Sequence, residues 1–183
     1  MLSDQERDLL RTQLDRTAHE FVDAIAGLSP GQWEFRPSVG AWSIGDIAEH
    51  VAVTEASILE RVRNTLMATP AMPERSEAAR GKDRLLLERV PTRNVKVQAA
   101  PELQPTRRWT LPAQVLQAFR EARLQTSRYA ATTDDDLRSH FAPHPSLRDL
   151  DGFQWLLLNA MHTARHVAHI EEVKAHREYP THA

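Results

Sequence analysis

Apolar positions at Leu10, Leu14, Thr17, Phe21, Ile25 and Leu28 follow the three-and-four spacing of one helix face and predict a first helix over about Ser3–Leu28. Ser29-Pro30-Gly31 stops it, and residues 29–42 read as a connection whose Trp33, Phe35 and Trp42 cover one end of a core. Ser43, with Asp46 three positions on, has the form of a helix start, since the hydroxyl accepts from free backbone N–H groups and the acid favours the positive helix end. The second helix runs to about Met67 with its apolar arc at Ile44, Ile47, Ala48, Val51, Ile58, Leu59, Val62 and Leu66.

Residues 68–110 carry five prolines, too many for one helix, with room for a short one over Ser76–Arg89. A segment this long between helices is expected to act as a lid, flap or contact surface, with Arg80, Lys82 and Arg84 in solvent. Thr110-Leu111-Pro112 begins a third helix, whose stripe is Val115, Phe119, Ala122, Thr126 and Tyr129. Residues 132–150 read as a loop in which His140 and His144 face solvent. The last helix, about Asp151–His176, is apolar around much of its circumference near Trp155-Leu156-Leu157-Leu158. No period-two pattern competes, so the expected fold is all-α: one domain over 1–183, an antiparallel four-helix bundle with a long crossover excursion between helices two and three.

Composition narrows the chemistry. The 183-residue chain has no Cys, so any metal must be held by His, Asp or Glu, and no disulfide or thiol nucleophile is available. Lys+Arg 23 against Asp+Glu 25 leaves no basic footprint for nucleic acid. No stretch has the length of a membrane span and the first twenty residues lack an apolar signal core, so a cytoplasmic chain is expected. Nucleotide-binding glycine motifs, G-x-S-x-G and H-E-x-x-H are absent from the sequence.

The nine histidines are the informative excess. His162, His166 and His169 fall at i, i+4 and i+7, within about 60° of one another on the inward stripe of the last helix. Ionisable rings on such a stripe need partners, and an i, i+4 imidazole pair can chelate one divalent ion. A third ligand must come from another helix. His50 is the expected one, in preference to His19, which lies off the apolar stripe of the first helix. Glu49, Asp46 and His169 are candidate orienting or proton-transfer groups.

Three segments carry a family resemblance: Arg36-Pro37 with Gly40 through Val51, Ala100 through Pro105, and His162 through Ile170. In their order and spacing the chain resembles the DinB/YfiT-like superfamily. The resemblance implies a four-helix bundle with a divalent metal on His50, His162 and His166, zinc or nickel first and iron or manganese after them. It also implies a small-molecule substrate, with a low-molecular-weight thiol as a candidate, and a homodimer. Members resemble metal-dependent hydrolases, thiol-dependent S-transferases and thiol-dependent isomerases. An enzyme that activates water or a thiol at an open metal position is the first expectation; a non-catalytic metal-binding or stress-related bundle is the alternative.

Overall fold

The computed structural model describes residues 1–94 and 97–181. Its four long helices are α1 (Asp4–Ile25), α3 (Ile44–Glu60), α6 (Pro112–Thr132) and α7 (Gly152–Lys174), and they form a four-helix bundle. The short α2 (Pro30–Glu34) lies in the first connection, and α4 (Ser76–Ala79) and α5 (Gly81–Arg89) lie in the crossover. Side-chain caps begin most of these helices: Ser3 accepts from Glu6 N–H, Ser29 from Gln32, Ser43 from Asp46 and Asp151 from Gln154. Beyond Glu60 the second long helix continues as a π-helical stretch, Arg61–Leu66, close to the expected end at Met67.

Each long helix packs on two others, α1 on α6 and α7, and α3 on α6 and α7. Leu10 and Leu14 share one apolar cluster with Leu59, Val62, Ala130, Phe153, Leu156, Leu157 and Met161. Phe21 and Ile25 share a second with Ile44, Ile47, Ala48, Val51, Val115, Phe119, Ile170 and Val173. The chain therefore runs one way in α1 and α7 and the other way in α3 and α6. Direction reverses between α1 and α3 and again between α6 and α7, while the crossover joins two helices of the same sense. Helix α3 rises about 1.5 Å per residue and its π-helical extension adds to it, and that length must be retraced before α6 can start. Residues 68–110 supply that return path and are longer than the roughly ten extended residues it needs.

The two apolar clusters are separated by a polar layer. Arg123 of α6 donates from Nε and Nη2 to the Glu55 carboxylate of α3, each at 2.8 Å. Its remaining N–H groups reach the Leu14 carbonyl, Thr17 Oγ1 at 2.9 Å and Thr163 Oγ1 at 2.9 Å. One buried guanidinium thus uses five donors across α1, α3 and α7. Asn159 of α7 adds a bond from Nδ2 to the Glu55 carbonyl at 3.1 Å.

Two expectations are corrected. Residues 132–150 contain a hairpin, β1 (Phe141–His144) antiparallel to β2 (Arg148–Asp151), in register Phe141 to Asp151. Four-residue strands are too short for alternation to register, and Pro143 is tolerated because both strands are edges. The hairpin leaves His140 and His144 half-buried instead of solvent-facing: His140 Nδ1–H donates to the Thr69 carbonyl at 2.7 Å, and the His144 ring lies 5.4 Å from Trp155.

In the crossover, Arg80 and Arg84 are exposed as expected, paired with Glu6 and Glu88, whereas Lys82 is half-buried and donates to the Leu147 and Asp149 carbonyls. Arg138 fastens the same region, donating to Glu6 at 2.9 Å, Asp83 at 2.7 Å and Asp151 at 2.9 Å while lying 3.8 Å above the Phe153 ring. No helix among the described residues is long and apolar enough to cross a membrane.

Candidate metal centre

The antiparallel contact between α3 and α7 brings His50 opposite the pair His162 and His166. One ring nitrogen from each lies within 4.8 Å of the others, and His50 Nε2 stands 3.1 Å from His162 Nε2. Ring centroids are 4.5 Å apart for His162 and His166, 4.7 Å for His50 and His166, and 5.0 Å for His50 and His162. His50 and His166 are buried, whereas His162 is half-buried, so the cluster lies at the edge of the packed interior beside the polar layer. Thr163 of that layer sits between His162 and His166 in sequence and ties this turn of α7 to Arg123.

The His50 tautomer follows from its partner. Nδ1 lies 2.7 Å from the Leu103 carbonyl, which can only accept, so the proton is on Nδ1 and Nε2 carries the lone pair facing His162. Burial lowers the pKa of His50 against the opposing effect of this bond. Burial also holds His162 and His166 well below the ordinary imidazole value, reinforced by neighbouring histidines and by Arg165 or Arg93. His169 is pushed down to about 4, by burial first and Arg93 next. At neutral pH all four rings are therefore neutral, the form in which imidazole binds a metal.

The remaining sequence candidates have separate places. Asp46 accepts from the Ser43 backbone N–H at 2.8 Å and pairs with Arg36 at 2.6 Å, fixing the start of α3. Glu49 faces the crossover, where it accepts from Thr106 and Arg108. His169 lies 6.0 Å from the His166 ring, outside the three-nitrogen focus, with a buried Nδ1 that has no partner. His19 is on the exposed side of α1, bonded to the Asp15 carbonyl.

Four residues have site roles that the sequence reading did not assign. Trp42 lies against His50, His166 and His169 at centroid distances of 5.0, 6.4 and 6.5 Å, forming an aromatic wall over the cluster. Leu103 acts through its carbonyl, for which no side-chain signature exists. Glu55 and Arg123 did leave a signal: each is a charged residue on an otherwise apolar stripe, Glu55 between Val51 and Leu59, Arg123 between Phe119 and Thr126.

Comparison with known proteins agrees with this architecture. YfiT from Bacillus subtilis, described as a probable metal-dependent hydrolase with an unusual four-helix bundle topology, superposes with a TM-score of 0.62 at 16% identity, covering 98% of this chain and 92% of its own. The four-helix bundle protein TT2238 superposes with a TM-score of 0.53 at 18% identity, over 91% and 98% of the respective chains. In sequence, YuaE, an uncharacterized protein of Bacillus subtilis (strain 168), is 23% identical over 155 residues, 85% of this chain and 91% of its own. The profile of the DinB superfamily matches residues 13–170, a span that takes in His50, the crossover and all three α7 histidines. With bundle, crossover and histidine segments all inside that match, the chain belongs to the DinB superfamily.

Proposed function

We propose that this protein is a divalent-metal-dependent enzyme acting on a small-molecule substrate, with His50, His162 and His166 as the metal ligands. The observation that carries the reading is that three imidazoles from two helices bring one ring nitrogen each to within 4.8 Å of the others. Nitrogens sharing an ion of zinc size, each about 2.0–2.1 Å from it, stand about 3 to 3.4 Å apart, and the His50 and His162 Nε2 atoms are 3.1 Å apart. The buried, unpartnered Nδ1 of His166 is a further sign that the cluster is not satisfied by protein groups alone. An all-nitrogen donor set suits zinc or nickel first, with iron and manganese behind them.

A bound ion would supply Lewis acidity, lowering the pKa of water or of a low-molecular-weight thiol at an open position. The protein residues do the rest. Leu103 holds His50 in the ligating tautomer, the Trp42 indole covers one side of the rings, and half-buried His162 marks the side from which a small molecule can approach. Hydrolysis and thiol transfer both fit this arrangement.

The test is metal content after expression in zinc- or nickel-supplemented medium, on wild type and on His50→Ala, His162→Ala and His166→Ala. About one equivalent in wild type and a loss of at least tenfold in affinity in each variant supports the reading. Wild-type protein with less than about a tenth of an equivalent of any transition metal overturns it. Turnover of ester, amide and electrophile-plus-thiol panels by the loaded protein then separates an enzyme from a bundle in which the ion only ties α3 to α7.

A further inference from the structure

We infer that Glu49 is a positioning residue for His50, acting through the crossover segment 101–108 by anchoring the strap whose Leu103 carbonyl sets the His50 tautomer. Its carboxylate side chain is only 3% exposed. One oxygen, Oε1, accepts from Thr106 N–H at 2.8 Å, Thr106 Oγ1 at 3.2 Å and Arg108 Nε at 3.1 Å. Arg107 between them has φ 60°, in the left-handed region that a residue with a side chain rarely occupies. That turn brings both neighbours to the same oxygen, and Glu49 supplies the contacts that hold it.

Leu103 lies just upstream, at the end of the single 3-10 turn Pro101–Leu103. Only Gln104 and Pro105 separate it from Thr106, and prolines at 101 and 105 restrict the backbone on either side of the turn. A turn this short has little stability of its own, so its place over α3 depends on the anchor beyond it. Glu49 and His50 are adjacent on α3, and the strap contacts both: the carboxylate holds the strap, and the strap holds the ring. An unconstrained neutral imidazole keeps its proton mainly on Nε2. The Leu103 carbonyl draws it to Nδ1 and frees Nε2 toward His162.

The consequence for metal affinity rests on the reading of the triad as a metal site; the tautomer does not, so the experiment starts from metal-free, full-length protein. Long-range ¹⁵N–¹H NMR of the histidine rings at a pH above about 7.5 reports which nitrogen of His50 is protonated. Wild type is expected to give the Nδ1–H pattern. Glu49→Ala is expected to move it toward Nε2–H, to speed amide exchange over residues 101–108 at least tenfold, and to lower zinc affinity, measured by chelator competition, about 10- to 100-fold.

Glu49→Gln keeps an acceptor at the same place and is expected to retain the wild-type tautomer, with zinc affinity within a few-fold. If Glu49→Ala does not fold, the double variant Thr106→Val/Arg108→Met weakens the anchor from the strap side and leaves α3 untouched, with the same expected shift. A folded Glu49→Ala protein that keeps the Nδ1–H pattern overturns the inference, as does equal loss in Glu49→Gln. A tautomer change in a protein that binds no zinc supports the positioning role and refutes the metal reading alone.

Discussion

Replacing Arg123 with Met should be among the most destabilising single changes in this protein. The Arg123 side chain is 6% exposed and that of Glu55 is fully buried at 0%. Removing the guanidinium leaves a buried carboxylate with no cation, and it takes one donor each from the Leu14 carbonyl and from the Thr17 and Thr163 hydroxyls, which keep their bonds to the Gln13 and Asn159 carbonyls. Breaking a buried pair from one side costs about 3–5 kcal/mol, because the surviving charge keeps its desolvation penalty. Replacing both partners by apolar residues of similar volume, Arg123→Met with Glu55→Leu, should recover most of the loss, since the pair's attraction only offsets the cost of dehydrating it. Urea denaturation of the two single variants and the double variant, analysed as a cycle, measures this directly. An Arg123→Met protein that loses less than about 1 kcal/mol would refute the assignment of a dry, fully engaged ion pair. Because Arg123 also bonds Thr163, between His162 and His166, the double variant should hold zinc more weakly than wild type.

The metal-free protein should lose stability as pH falls from about 6.5 toward 4, because the unfolded chain takes up protons on histidines whose folded pKa values are depressed, His169 to about 4. Above about 6.5 these groups contribute no slope, and a melting temperature that rises on acidification through this window would contradict the buried, neutral cluster. Zinc held at about 100 times its dissociation constant should stabilise the protein by about 2.7 kcal/mol in calorimetry, and chelation should reverse the gain. Gly45→Ala should cost about 1–3 kcal/mol, since an added Cβ would come 2.6 Å from Trp33 Nε1, and unchanged denaturation midpoints would show that α2 moves aside freely. Trp42→Ala should leave global stability within about 1.5 kcal/mol but make the His166 and His169 rings more accessible to diethyl pyrocarbonate, and unchanged labelling would exclude the indole as their cover.

Helix positions were readable because amphipathic periodicity is local. The Leu10–Ile25 stripe, the Ser43 cap and the His162/His166 spacing each depend on residues within a few turns of one another, and all three recur in the folded chain. The hairpin at 141–151 was not readable, because four-residue strands show too little alternation and their pairing is visible only once formed. Arg123 and Glu55 stood out as charges on apolar stripes, but nothing local says that they face each other across 68 residues.

By itself, the sequence determined that this chain makes four amphipathic helices and sets an imidazole pair on one face of the last, because backbone hydrogen bonding and side-chain spacing are settled over short stretches of chain. Tertiary structure alone decided that α1 and α7 run in the same direction, that His50 comes within 3.1 Å of His162, and that a backbone carbonyl at Leu103 chooses the His50 tautomer. Those outcomes depend on which helix faces which and on how far the crossover must travel, and packing across the whole core sets both.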